Sequence, residues 1–175
     1  MIIKNGYVID TYYKDGYDET SRFVLNSASK SVTSALIGIA IDLGYFGSVD
    51  DLLADYLPQV SELPDERWQR ITLRHLLTHT SGIATTDDVL WDEWRNSENW
   101  IDYILALPIT AEPGTAFDYS TGNTHLLSAA LQAATGMTLY DFGQEYLFEP
   151  MDMSSVSIEE DPQGIADGGN GIWMT

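Results

Sequence analysis

The run from Ser27 to Gly44, SASKSVTSALIGIAIDLG, constrains this chain most. Val32, Leu36, Ile39 and Ile41 supply more apolar surface than one stripe can hold, which predicts a helix over 27–43 buried inside the fold. Ser27 or Ser29 can cap it, and Gly44 stands at the position where helices commonly end. One residue does not fit. Lys30 sits at the head of this run, and burying an unpaired ammonium costs several kcal/mol. Lysine is scarce here, so its position asks for a chemical reason.

Composition narrows the classes. The 175 residues carry 27 acidic against 8 basic side chains, a net charge of −19. Such a field repels phosphate backbones and anionic lipid, which argues against nucleic-acid and membrane-surface roles. It suits a protein of a high-salt proteome, where screening weakens self-repulsion, and equally an ordinary acidic enzyme. The absence of cysteine excludes disulfides and thiolate metal sites. MIIKNGYVID has no basic segment followed by an apolar one, so it reads as no signal peptide, and the chain as it stands as cytoplasmic. At 44% hydrophobic residues the length suffices for one core.

Along the chain the fold class is α+β, a β-hairpin followed by mostly helices. Residues 1–25 are the sheet hairpin, with β-prone MII and YVIDTYY flanking the turn Lys4-Asn5-Gly6. Residues 26–44 hold the helix that carries the candidate nucleophile, and 45–160 form a helical region. Within that region SVDDLLADYLP reads as a short capped helix stopped by Pro58. ITLRHLLTHTSG reads as another, closed by Gly82. Leu90, Trp91 and Trp94, then Trp100, Tyr103, Ile104 and Leu107, mark two amphipathic segments, and AEPGTAFDYSTGN a loop. THLLSAALQAATG and LYDFGQEYLFEPMDM follow as helices. The glycine-rich end, 161–175, reads as a segment without a closing element.

If Ser27 begins the helix, Lys30 at i+3 lies on the same face, so hydroxyl and amine can meet. The positive end of the helix dipole and burial both disfavour an ammonium there. A neutral amine could take the serine proton and activate a nucleophile. The same residues also suit a capping serine and a snorkelling lysine.

ITLRHLLTHTSGI (71–83), PGTAFDYS (113–120), HLLSAALQAATGM (125–137) and LFEPMDM (147–153) then follow in order. Together with Ser-x-x-Lys they resemble the serine β-lactamase-like family: class C β-lactamases, penicillin-binding proteins and family VIII carboxylesterases. The resemblance implies the N-terminal portion of the β-lactamase/transpeptidase-like fold. Ser27 is then the acylated nucleophile, Lys30 its base, and Tyr119 the tyrosine of the second motif, which shuttles the proton to the leaving group. The Ser27 N–H is one half of the oxyanion hole.

Two departures matter. Thr121 stands where the family has asparagine, with Asn123 displaced in register; both are candidate substrate-binding residues. A hydroxyl supports the lysine more easily than it holds a substrate amide, which favours esters or simple amides over β-lactams. The family's third motif, on a late strand, is missing, so late sheet strands are expected to be absent and the chain to be truncated. The enzyme reading therefore stands beside a second, a catalytically incompetent module that associates with a copy of itself or with a partner strand completing the sheet.

The expected partners are a small-molecule ester, amide or β-lactam, with no cofactor and no metal. His75 and His79 have the i, i+4 spacing of a metal pair but no evident third ligand, so they are expected to pack and cap the Thr-Ser-Gly turn. His125 is expected to be a satisfied, partly buried histidine. The tryptophans read as packing, or as an overhang gripping an acyl group. Arg67, Arg70 and Arg74 read as solvated ion pairs. Asp87-Asp88 and Glu159-Glu160-Asp161 are expected to be solvated turns.

Overall fold

The computed structural model describes residues 1–175. Strands β1 (Ile2–Lys4) and β2 (Tyr7–Asp10) form a hairpin, pairing Ile3 with Val8 and Lys4 with Tyr7, but it ends at Asp10 rather than filling the expected 1–25. Asn5 and Gly6 both take positive φ, 52° and 80°, which is what a two-residue turn between right-twisted strands requires. The short β3 (Phe23–Val24) leads through a 3₁₀ turn, Asn26–Ala28, into α1 (Ser29–Asp42). Gly44 follows α1 with φ of 82°.

Next come α2 (Leu73–Leu77), α3 (Trp91–Arg95), α4 (Trp100–Leu105), α5 (Thr121–Thr135) and α6 (Leu139–Gly143), the last continued by a π-helical turn over Gln144–Phe148. Strands β4 (Ser157–Ile158) and β5 (Ile172–Met174) complete the chain. The architecture is mixed helix and sheet, as expected. No helix is long and apolar enough to cross a membrane.

The C-terminal segment differs from expectation. It closes a second antiparallel sheet in the order β3-β5-β4, with β5 in the centre. Residues 172–174 are too few to announce a strand; pairing partners on both sides, far away in sequence, create it. The SVDDLLADYLP segment is also not an α-helix but a 3₁₀ turn over Leu53–Asp55. The Leu53 N–H donates to the Ile71 carbonyl and the Leu73 N–H to the Asp51 carbonyl, so its backbone is committed to a distant segment.

The helix buried on all sides is α5 rather than α1. Every residue from Thr121 to Leu131 is buried, whereas α1 leaves Ser31, Ser34, Ala35 and Gly38 exposed. The polar positions of α5 tolerate this because they find partners. Thr86 Oγ1 accepts the Gly122 N–H at 2.8 Å, the Ser81 hydroxyl donates to Asn123 Oδ1 at 2.9 Å, and His125 Nε2 lies 2.9 Å from Asp161 Oδ2. Leu36, Ile37 and Ala40 of α1 join Leu126, Leu127 and Leu131 of α5 in the core. The tryptophans are packing residues as expected: Trp94 and Trp100 are buried, their rings 5.1 Å apart.

Trp94 is completely buried, yet its indole N–H has no partner. Trp94→Ala should cost about 3–5 kcal/mol through the cavity it opens. Trp94→Phe should cost less, because it removes most of the volume loss and the unpaired donor. Urea midpoints of the two variants at constant m test this.

Candidate active site

Ser27 lies in the 3₁₀ turn just ahead of α1, exposed at the surface. The preceding Asn26 has φ of 49°, a left-handed conformation that asparagine tolerates better than most residues. It turns the chain so that Ser27 leads the helix. The turn is continuous with α1, so the i, i+3 spacing does what the sequence implies: Lys30 Nζ sits 3.1 Å from Ser27 Oγ.

The amine has two further partners from distant segments. It donates to Thr121 Oγ1, at the start of α5, at 3.0 Å and to the Gly169 carbonyl at 2.9 Å. Gly169 belongs to the DGGNG turn ahead of β5, and several contacts press that turn onto α1. Thr33 donates its hydroxyl to the Gly168 carbonyl, and Ser29 Oγ accepts the Ile172 N–H. A Cβ on Gly169 would stand 2.7 Å from Thr121 Cγ2, so only glycine lets the carbonyl come this close to Lys30. Asp167 Oδ1 accepts the N–H groups of Gly169 and Asn170 at 3.2 and 3.1 Å, while its Oδ2 pairs with Arg95. Arg95 in turn stacks over the Trp100 ring at 3.9 Å.

Tyr119 also stands at this site, and Lys30 Nζ lies 4.9 Å from its ring centroid. The contact is with the ring face; no hydrogen bond joins the Tyr119 hydroxyl to Lys30 or Ser27. His79 packs on the same ring. Its imidazole tilts onto Tyr119 at 4.6 Å between centroids, and its Nδ1 accepts the Ser120 N–H at 3.2 Å. Burial, reinforced by the charge of Lys30, pushes the His79 ring below the usual histidine range. His75 has a separate task, accepting the Thr72 N–H on Nδ1 at the start of α2. The i, i+4 pair is thus divided between a helix cap and the tyrosine.

Ser27, Lys30, Tyr119 and Thr121 therefore come together. Asn123 does not: it is buried beneath them, bonded to Ser81, and makes no hydrogen bond to Lys30 or Ser27. Displacement by two residues along a helix turns it into the core. Asp87 was expected in a solvated turn. Its carboxylate instead accepts the Thr121 N–H at 2.6 Å and the Thr121 hydroxyl at 2.9 Å. Asp87 is half-buried, whereas Asp161 is buried, bonded to His125 and to the N–H groups of Gln163 and Ile165. His125 is fully buried rather than partly. Neither aspartate is distinguishable in sequence from its exposed neighbours. Arg67, Arg70 and Arg74 do form solvated pairs, with Asp65, Glu112 and Asp50.

With the geometry in hand, the sequence profile described as Beta-lactamase matches residues 1–174. The chain belongs to the beta-lactamase family. It is 28% identical to a beta-lactamase of Escherichia coli (strain K12) over 90% of this chain and 40% of that one. It is 21% identical to the 6-aminohexanoate-dimer hydrolase of Paenarthrobacter ureafaciens, over 97% and 47%. A solved structure from Bacteroides dorei DSM 17855, assigned as a beta-lactamase, superposes with a TM-score of 0.81 at 25% identity, covering 99% of this chain and 52% of that one. The chain spans about half the length of the curated relatives it matches. The fold is accordingly that of the family's N-terminal portion.

Burial acts to raise the Asp161 carboxyl, but the hydrogen bonds from His125, Ile165 and Gln163 outweigh it and hold the group below its ordinary value of 3.8. A carboxyl depressed in the folded state contributes stability above its unfolded value and loses it as the pH falls through the folded value. Stability should therefore drop as the pH is lowered below about 4, and Asp161→Asn, though less stable at pH 7, should show a shallower slope there. Denaturant unfolding at pH 3, 4, 5 and 7 reads both slopes.

Proposed function

We propose that this chain carries the acylating half of a serine hydrolase that acts on esters or simple amides through a Ser27 acyl-enzyme. The observation that carries the reading is the Lys30 amine, set against Ser27 Oγ and held by two acceptors from elsewhere in the fold. To take the serine proton the Lys30 amine has to be in its neutral form, with two N–H donors and one lone pair. The Gly169 carbonyl and Thr121 Oγ1 occupy the donors, which leaves the lone pair for the Ser27 hydroxyl.

In the forward step Ser27 Oγ bonds to the substrate carbonyl carbon as its proton passes to Lys30. The oxyanion that forms lies near the Ser27 N–H, which has no partner within the chain. Collapse of the adduct breaks the bond to the leaving alcohol or amine, which takes the proton that Lys30 received; Tyr119, whose ring face meets Lys30, would have to turn its phenol toward the amine to carry that proton. Water then attacks the acyl carbon as one of its protons passes to Lys30; the bond from Ser27 Oγ to the acyl carbon breaks, Ser27 Oγ takes that proton from Lys30, and the acid leaves.

Esters are the first substrate class, with β-lactams or D-amino-acid peptides second. Thr121 offers a hydroxyl where an asparagine amide would reach toward a substrate amide. A second reading is favoured by the hairpin: Ile2, Ile3, Tyr7, Val8 and Ile9 are all more than half exposed. An isolated two-stranded ribbon is marginal in water. In that reading the chain is an association module whose sheet is covered by another strand or a second copy.

Incubation with a fluorophosphonate and, separately, with a penicillin, followed by intact-mass analysis, separates the two. The hydrolase reading expects one adduct on Ser27, absent in Ser27→Ala, whose melting temperature should match the parent. A folded parent that stays unmodified, and elutes as a dimer, overturns it in favour of the module.

A further inference from the structure

Asp87 lies in the loop after α2, 34 residues before Thr121, yet each of its carboxylate oxygens accepts from that residue, Oδ2 also accepting longer bonds from the Thr86 and Thr85 hydroxyls at 3.4 and 3.5 Å. Oδ2 accepts the Thr121 N–H at 2.6 Å and Oδ1 accepts the Thr121 hydroxyl at 2.9 Å. An ionised carboxylate can only accept, so the direction of the second bond is settled: the threonine proton points at Asp87. The Thr121 oxygen therefore turns a lone pair, and no proton, toward Lys30 Nζ at 3.0 Å.

The consequence reaches Ser27. A free threonine hydroxyl is a rotor, and it can swing its proton onto the lone pair of a neutral amine. That is the lone pair which the Ser27 hydroxyl, 3.1 Å away, needs. We propose that Asp87 is a positioning residue that commits the Thr121 proton and so reserves the Lys30 lone pair for Ser27. It stands to Thr121 and Lys30 as a buried carboxylate stands to a catalytic imidazole, fixing which atom carries which proton. Asp87 is itself held in place. Its N–H donates to Thr85 Oγ1 at 3.0 Å, and the Thr85 hydroxyl donates to the Tyr119 carbonyl at 2.6 Å. One loop thus aligns both the tyrosine and the threonine of the second motif.

This inference rests on the Ser27–Lys30 reading above, and its test keeps the two apart. Fluorophosphonate labelling of Ser27 is followed by intact mass for the parent, Asp87→Asn, Thr121→Asn and the double variant, with melting curves for each. Asp87→Asn should lower the maximal labelling rate about 10–100-fold, the scale of a misplaced catalytic group, with the concentration for half-maximal rate unchanged within twofold.

Thr121→Asn supplies an amide oxygen that needs no partner to remain an acceptor. In that background Asp87→Asn should therefore have no further effect, and the double variant should label faster than Asp87→Asn alone. A carboxylate that merely braces the loop would not be rescued in this way. Hydrogen exchange at the Thr121 amide, faster in Asp87→Asn, reads the clasp without any chemistry.

Equal labelling of the parent and Asp87→Asn overturns the role of Asp87 and leaves Ser27 standing. Loss in Asp87→Asn that Thr121→Asn does not rescue also overturns it. A parent that never labels overturns the Ser27 reading and this one together, and unchanged exchange at Thr121 overturns the clasp itself.

Discussion

Three oxygens converge on one amine: the Ser27 hydroxyl, the Thr121 hydroxyl and the Gly169 carbonyl all surround Lys30 Nζ within 3.1 Å. They come from the turn before α1, the first residue of α5 and the glycine turn before β5. An amine in a part-buried site without such partners would be costly to retain. With them it acts as a node that locks the start of one helix between the start of another and the end of a sheet. Much of the local design serves that node. Gly169 has no side chain because Thr121 fills the space, Asp167 holds the turn by its N–H groups, and Arg95 holds Asp167.

The same arrangement explains why α5 is the most deeply buried helix although its first turns are polar. A helix that delivers Thr121 to the amine has to run through the middle of the domain. Its Gly122 N–H, Asn123 Oδ1 and His125 Nε2 then meet Thr86, Ser81 and Asp161 instead of water. On the same helix Asn123 Nδ2, His125 Nδ1 and Ser128 Oγ are buried without a partner. The buried polar layer beneath the site is thus denser than a stability argument alone would need.

Acidic surplus plays a different part. With 27 carboxylates against 8 basic side chains, most acidic groups have no cation to meet. The ones that matter for the site are the few turned inward: Asp87 to Thr121, Asp161 to His125 and Asp167 to Arg95. Composition makes the chain look uniformly acidic, whereas folding sorts its aspartates into solvated charges and buried acceptors. Sequence cannot perform that sorting, because an aspartate in a turn reads the same whether its oxygens face water or a helix N-terminus.

What the sequence determined by itself was local. Asn5-Gly6 dictates a hairpin turn, the apolar run dictates a helix, expected over 27–43 and found over Ser29–Asp42 without a serine side-chain cap, and the three-residue spacing of Ser27 and Lys30 brings hydroxyl to amine, because each rests on local backbone geometry. The order of motifs identified the family for the same reason, as each is a short contiguous string. Tertiary structure alone decided the rest. It made β5 the centre of a sheet, moved the fully buried helix from α1 to α5, sent Asn123 into the core, and recruited Asp87 across 34 residues of chain. Each of these depends on a partner far away in sequence, and such partners exist only once the chain has closed on itself.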